Sequence, residues 1–352
     1  MSSLTTRGVT KRYGAVSALN PLDLQIHEGE FLTLLGPSGC GKTTTLRLLA
    51  GFIKPTDGTI LFGDEDVTRV PPQHRKIGMV FQDYALFPHM TIAENIGFGL
   101  VEQRRPAAEI KARVTELLGL IKLSDVGARY PSELSGGQQQ RIAVARAVAH
   151  APRVLLMDEP LGALDLKLRE TMQTEIRRIQ QALKITTVYV THDQTEAMNM
   201  SDRIAVMNAG DIEQIGSASD IYNRPKSRFV ADFVGQINLL PAVPVSRDAQ
   251  GTVMSVAGQT VRVDGVQAPI AHDLVLGVRP EQMSIGATGD SVNSLPGRVV
   301  SRQFSGSIIK IGVEVEGGMV VMVDSHPNDA IVEIGAMVAV SWDPVRSVVL
   351  RA

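Results

Sequence analysis

The sequence predicts an α/β core interrupted by a helical lobe and followed by a smaller all-β domain. Three observations predict this. Short apolar runs rich in β-branched residues alternate with helix-like stretches through the first two-thirds of the chain. Residues 91–150 are mostly helical in pattern. After about Gly235 the helical period disappears and short β-like runs separated by turn residues take over. The expected domains are therefore 1–235, with the helical lobe at about 91–150, and 236–352. A length of 352 residues suits two domains.

The strand and helix signals can be read in order. "FLTLLG" (Phe31–Gly36) reads as a buried strand, and "KTTTLRLLAG" (Lys42–Gly51) as a helix ended by glycine. "IGMVFQ" (Ile77–Gln82), "VLLMDE" (Val154–Glu159) and "TTVYVTH" (Thr186–His192) are apolar runs ending at polar residues. That is the pattern of buried parallel strands, whose carboxyl ends carry ligand sites in α/β folds. "TIAENIGFGL", "AAEIKARVTELLGL" and "QQQRIAVARAVAH" supply the helical lobe. "GQINLLPAVPVS" has two prolines and no helix period. Beyond it, "GTVMSVAG", "QTVRVDG", "LVLGVRP", "GRVVSRQF", "IIKIGVEVEGG", "MVVMVDS" and "MVAVSWDPVRSVVL" suggest a small barrel or sandwich.

Composition limits the function classes. A hydrophobic share of 44% and a charged share of 20% are those of ordinary globular protein, so a sizeable core is available. A net charge of −2 without like-charge runs gives no reason to expect nucleic acid. Cys40 is the single cysteine, which excludes an intrachain disulfide and fits a reducing compartment. "MSSLTTRGVTKRY" has no signal-peptide core, and no run of about 18 apolar residues is present. A membrane role is expected only through a partner.

"GPSGCGKT" fits the phosphate-loop pattern in full, with Gly36, Gly41, Lys42 and Thr43 at the required positions between a strand and a helix. Backbone N–H groups of Ser38 to Thr43, with Gly39 among them and Thr44 next, can wrap the β- and γ-phosphates, and the helix N-terminus adds its positive end. Lys42 supplies a point charge, and Thr43 can bind Mg²⁺. Cys40 reads as a small filler, not a thiol nucleophile. In "RVLLMDEP", Asp158 ends a buried strand where it can hold Mg²⁺, and Glu159 is placed to polarise an attacking water; the bland reading is a helix cap near Pro160. Phosphoryl transfer asks little more of a protein than aligned water and neutralised charge. His192, at the end of the next strand, falls on the same sheet edge and is read as a γ-phosphate contact. Gln82 ends the strand "GMVFQ" and can sense metal or water. Tyr13, in "KRYGAVSAL", can stack on adenine or simply be a surface-strand tyrosine.

"GPSGCGKT", "FQDYALFPHMT", "LSGGQQQR", "LLMDEPLGALD" and "THD", in that order, resemble an ABC transporter ATP-binding subunit over roughly residues 4–236. The resemblance implies a P-loop NTPase fold: a RecA-like core with an inserted helical subdomain. It implies ATP and Mg²⁺ as cofactors and a head-to-tail homodimer, in which Ser135, Gly136, Gly137 and Gln138 of one subunit close on the ATP of the other. "SGGQ" before a helix suits an anion on physical grounds too; the alternative is a plain N-cap, which alone would not need "LSGGQ" followed by "QQR". The resemblance further gives "LGALD" (Leu161–Asp165) a contact with the partner subunit. It makes Tyr84, Leu86, Phe87 and Pro88, expected to be exposed, part of a groove for a membrane subunit; the alternative is that they simply anchor the lobe.

"RPE" within Leu276–Ile285 and the ending "VSWDPVRSVVL" resemble a TOBE domain, an OB-like barrel. With eight Lys plus Arg against eleven Asp plus Glu after residue 235, this barrel is acidic, which argues against oligonucleotides; a regulatory or dimer-stabilising role is expected, with a purely structural cap as the alternative. The implied function is an import motor on the cytoplasmic face of the inner membrane, with two permease subunits and, indirectly, a solute-binding protein. "RFVADFVGQINLLPA" and "SWDPVRSVVL" look most like the spermidine/putrescine branch; ferric-iron, phosphonate and sugar importers are similar. A soluble ABC ATPase acting on ribosomes or DNA usually has paired cassettes or a long coiled coil, and neither is present. A binding module with an incidental ATPase does not explain the full set Lys42, Asp158, Glu159 and His192.

Overall fold

The computed structural model describes residues 2–162, 164–249, 251–265, 274–286, 293–329 and 332–351. They form two compact units, Met1–Ala218 and Ser219–Ala352.

In the first unit the elements are β1 (Leu4–Tyr13), β2 (Val16–Ile26), β3 (Phe31–Leu35), α1 (Lys42–Ala50), β4 (Thr59–Phe62), β5 (Glu65–Asp66), β6 (Ile77–Val80), α2 (Ile92–Glu102), α3 (Ala107–Leu120), α4 (Gly136–Val148), β7 (Val154–Asp158), α5 (Leu166–Leu183), β8 (Thr186–Thr191), α6 (Gln194–Met200), β9 (Arg203–Asn208) and β10 (Asp211–Gly216). One sheet runs β10-β9-β3-β8-β7-β6, parallel except at β10, and a second, antiparallel sheet runs β2-β1-β4-β5. β3 and β8 are buried at every position, as their unbroken apolar runs require of strands covered on both faces. Alternation then divides their side chains between two cores. Leu156, Val188 and Val190 pack with α1 and the antiparallel sheet. Leu155, Met157 and Tyr189 pack with the helical lobe and α5. Each such buried side chain contributes roughly 1.5–3 kcal/mol.

The helices begin and end where local chemistry dictates. α1 stops at Gly51, whose φ of 81° is left-handed, and Arg75 donates from one guanidinium nitrogen to the carbonyls of Leu48 and Leu49, both at 2.8 Å. α2 starts with a capping box: Glu94 Oε2 accepts from the Thr91 N–H at 2.7 Å.

The second unit holds α7 (Ala218–Asn223), α8 (Arg228–Phe233), β11 (Asn238–Arg247), β12 (Gly251–Val256), β13 (Gln259–Asp264), β14 (Leu274–Val278), β15 (Met283–Ile285), β16 (Asn293–Ser305), β17 (Ile308–Val315), β18 (Val320–Ser325), β19 (Met337–Trp342) and β20 (Val348–Arg351). Two antiparallel sheets, β13-β12-β11-β14-β20 and β15-β19-β16-β17-β18, enclose one apolar core. Although both lie before Gly235, α7 and α8 are within this unit: Ala231 packs with Val275 and Leu350, and Arg279 holds the Tyr222 carbonyl. Arg279 and Glu281 of the "RPE" triplet both grip Tyr222. Arg279 donates to its carbonyl at 2.7 Å and stacks on its ring at 3.6 Å, and Glu281 accepts from its hydroxyl at 2.6 Å. Burial, reinforced by that bond to Glu281, pushes the Tyr222 hydroxyl up to about 12.

β11 is a ten-residue strand in the stretch with two prolines and no helix period. Its first half, Asn238–Ala242, pairs with β14 and its second half, Val243–Arg247, pairs with β12, with a register shift just after Pro244. Each proline thus meets a partner on one side only, the situation in which a strand tolerates a missing N–H.

Candidate nucleotide site

The carboxyl ends of β3, β7 and β8 lie side by side in the parallel sheet and carry the chemistry. β3 delivers the phosphate loop. Gly41, at φ 106°, caps α1, and a Cβ on Gly36 would lie 2.3 Å from the Met207 carbonyl oxygen and 2.7 Å from Cys40 Sγ. Glycine at 36 is therefore a packing requirement, and Cys40 is the buried filler the sequence suggests. Ser38 and Gly39 are exposed at the loop's crest, while Thr43 and Thr44 are half-buried on the first turn of α1. That turn leaves N–H groups without intrahelical acceptors, facing any anion the loop receives. Lys42 is buried at 5% exposure, with Nζ donating to the Gly36 carbonyl at 2.7 Å and the Pro37 carbonyl at 2.9 Å.

Asp158 ends β7, and the Thr43 hydroxyl donates to its Oδ1 at 3.4 Å. Burial first, then the neighbouring Glu159, raises the Asp158 carboxyl above the ordinary carboxylate range; Thr43, Arg47 and Lys42 pull the other way. Two oxygen donors, one of them an acid short of compensation, fit a Mg²⁺ ion, which keeps waters and takes few protein ligands.

Glu159 follows β7 at φ 43°, a left-handed conformation that is strained for a non-glycine residue. Its N–H bonds the Val190 carbonyl of β8 at 3.0 Å, and its Oε2 lies 3.1 Å from His192 Nδ1. His192 follows β8 directly, and Asp193 caps α6 through the N–H groups of Thr195 and Glu196. Gln82 lies beyond the end of β6, which stops at Val80, in an exposed turn. A Cβ on Gly162 would be 3.6 Å from Gln82 Nε2 and 3.5 Å from the Glu159 carbonyl oxygen, so Gln82 borders the Glu159 turn. The structure thus gathers Lys42, Thr43, Asp158, Glu159, His192 and Gln82 about one sheet edge.

Ser135 caps α4 on the helical lobe. Its N–H donates to Gln138 Oε1 at 2.9 Å and its hydroxyl to the same oxygen at 3.3 Å. Gly136 and Gly137 lie against the segment that follows the Glu159 turn. A Cβ would meet Leu164 at 3.4 Å from Gly136 and Leu168 at 2.8 Å from Gly137. Of "LGALD", Ala163 lies outside the described residues; Asp165 caps α5 by accepting from the Leu168 N–H at 3.0 Å. Tyr13 ends β1 with 53% of its surface exposed and the Lys11 ammonium 4.9 Å from its ring centre. It is a surface-strand tyrosine whose ring remains open to a stacking partner.

Tyr84 corrects an expectation. It is buried, not exposed, and Leu86 packs on the lobe's core, because apolar loop residues with a core within reach take it. Pro88 and His89 are exposed. Sequence reasoning also missed Asn95 and Arg146, which hold this loop through its backbone. A polar Asn95 amid the apolar positions of α2 was the available signal.

This geometry defines a P-loop nucleotide-hydrolysing class. A family model described as "ABC transporter" matches residues 19–162 and one described as "TOBE domain" matches residues 276–350. The spermidine/putrescine import ATP-binding protein PotA of Thermobifida fusca is 47% identical, covering 99% of this chain and 93% of its own length. Its namesake in Vibrio cholerae is 45% identical over 98% of this chain and 93% of its own. Among solved structures, the dimeric bacterial ABC transporter cassette MJ0796 aligns with a TM-score of 0.54 at 33% identity, covering 61% of this chain and 98% of that one. cbiO1 of Clostridium perfringens aligns with a TM-score of 0.59 at 28% identity, covering 62% and 89%. The chain belongs to the ABC transporter family of ATP-binding proteins, as a member with a C-terminal TOBE domain. It is an ATPase of that family, and among its described residues no helix is long and apolar enough to cross a membrane.

Proposed function

We propose that this chain hydrolyses ATP to drive import of spermidine or putrescine through separate permease subunits, working as a homodimer at the cytoplasmic face of the membrane. The observation that carries the reading is the convergence of Lys42, Asp158, Glu159 and His192 at the carboxyl ends of β3, β7 and β8, in a chain alike over nearly its whole length to polyamine-import ATP-binding proteins. A balanced charge and an acidic second domain favour no nucleic-acid partner.

In this reading Lys42 leaves the carbonyls of Gly36 and Pro37 for the β- and γ-phosphates, while the N–H groups of Ser38 to Thr43 wrap them. Gly36, Gly39 and Gly41 permit the loop's approach, Thr44 adds a hydroxyl, and Tyr13 stacks on the adenine. Thr43 and Asp158 hold Mg²⁺, with Gln82 completing the set; the ion, when bound, neutralises phosphate charge. Glu159 polarises the water that attacks the γ-phosphorus, and His192, 3.1 Å from it, orients that carboxylate and contacts the γ-phosphate. Ser135, Gly136, Gly137 and Gln138 close on the nucleotide held by the second subunit, giving a two-fold pair of composite sites. Pro88 and His89 border the groove that receives the permease. Residues 1–235, with the lobe at about 91–150, are assigned to the motor and 236–352 to the regulatory domain, although α8 packs with the strands of the latter.

The test is affinity purification of the tagged chain from native membranes in mild detergent. Two polytopic membrane subunits, with a solute-binding protein that binds spermidine, are expected to copurify. Ribosomal or DNA-bound proteins without a membrane partner would contradict transport.

A further inference from the structure

Between β6 and α2, two consecutive residues, Tyr84 and Ala85, hold φ of 61° and 47°. Neither is glycine, so each crowds its own backbone and the loop needs something to keep it in this shape. Arg146, on the last turn of α4, donates from Nη2 to the Tyr84 carbonyl at 2.9 Å and from Nη1 to the Ala85 carbonyl at 2.7 Å. These are the carbonyls of the two strained residues. The guanidinium also lies 5.4 Å from the centre of the Phe87 ring. A planar fork can hold two successive carbonyls at once, which an ammonium cannot match in geometry. From the other side, Asn95 of α2 accepts from the Phe87 N–H at 2.9 Å and donates to the Phe87 carbonyl at 3.1 Å.

Gln82 lies two residues before the strained pair. Ser135, the cap of α4, lies eleven residues before Arg146 on the same helix, roughly 16 Å away at 1.5 Å per residue. One rigid helix therefore carries the SGGQ cap at its first turn and the grip on the Gln82 loop at its last.

We infer that Arg146 is a positioning residue for hydrolysis. By holding the Tyr84 and Ala85 carbonyls it keeps the loop left-handed and ties the place of Gln82 to the helix that begins at Ser135. The inference rests on the reading of Gln82 as a metal or water contact.

Steady-state hydrolysis by the purified full-length chain tests it. Arg146→Lys is expected to lower kcat about tenfold, the equivalent of one charge-assisted hydrogen bond, with KM for ATP within about twofold. Adding Ala85→Gly should restore most of the loss, since glycine accepts positive φ without crowding. Ala85→Gly alone should turn over normally. Ala85→Val strains the exposed loop while leaving every residue of α4 unchanged, and it should slow kcat several-fold even if the lysine variant fails to fold. Unchanged kcat in Arg146→Lys or in Ala85→Val, or a loss in Arg146→Lys that Ala85→Gly does not relieve, overturns the inference. Normal turnover in Gln82→Ala overturns the reading of Gln82 and the inference with it. A slow Gln82→Ala beside a normal Arg146→Lys overturns the inference alone.

Discussion

Gly137→Ala isolates why the SGGQ segment contains its second glycine. The new Cβ would lie 2.8 Å from Leu168 Cδ1, 3.2 Å from Cδ2 and 3.3 Å from Cγ. Carbon atoms prefer about 3.5–4.0 Å, so the closest pair overlaps by roughly 0.7 Å. Either Leu168 leaves its rotamer, at about 0.5–1.5 kcal/mol, or the first turn of α4 moves outward. Alanine in a helix returns up to about 1 kcal/mol over glycine, so the two effects nearly cancel in stability. Position is what is lost: if this segment clamps a second subunit's nucleotide as proposed, a shift of the first turn misaims its N–H groups, with an expected fall in kcat of about tenfold. Urea unfolding and ATP turnover are the assays. The unfolding midpoint should barely move while turnover falls, and adding Leu168→Ala should restore most of the turnover. A turnover loss that persists in the double variant would show that the clash with Leu168 is not why glycine is required.

Other perturbations probe separate parts of the account. The Asp158 carboxyl is raised in the folded chain, so its contribution to stability is present below the ordinary carboxylate range and is lost as pH rises through its raised value. Asp158→Asn should therefore raise the neutral-pH melting temperature of the nucleotide-free protein, lose that gain in acid, and abolish Mg²⁺-dependent turnover; calorimetry across pH decides. Ser135→Arg should stop hydrolysis while each subunit still binds ATP, and loss of ATP binding in a monomer would refute the in-trans clamp. Arg279→Ala should destabilise the second unit by about 3 kcal/mol, because it strands the Tyr222 and Gln236 carbonyls, yet leave hydrolysis largely intact; this can be measured by differential scanning calorimetry beside an ATPase assay.

The sequence made the parallel sheet and the phosphate loop legible because both are local. A strand, a glycine-rich turn and a helix start follow one another within Phe31–Ala50, and Asp158 and His192 each sit at the end of a short apolar run. What stayed hidden depends on distant backbone. Arg75 ends α1 from 26 and 27 residues away, and Arg146 reaches carbonyls 61 and 62 residues upstream; a side chain that bonds to carbonyls leaves no mark on the partner's residue type. β11 was obscured because proline bars a strand only where both edges must pair, and the split pairing of its two halves is a tertiary fact. The burial of Tyr84 was illegible for the same reason, since the core it enters is built from α2 to α5.

The central claim is that hydrolysis at Glu159 powers polyamine import. The most direct measurement is uptake of labelled spermidine by cells lacking the native gene and supplied with either the wild-type chain or Glu159→Gln. The account predicts rapid uptake with the wild type. The variant should bind ATP, stay in the membrane complex and support almost no uptake, having lost the group that polarises water, a loss of about 10²–10⁴-fold. Equal uptake with both chains, or no uptake with the wild type, would contradict it.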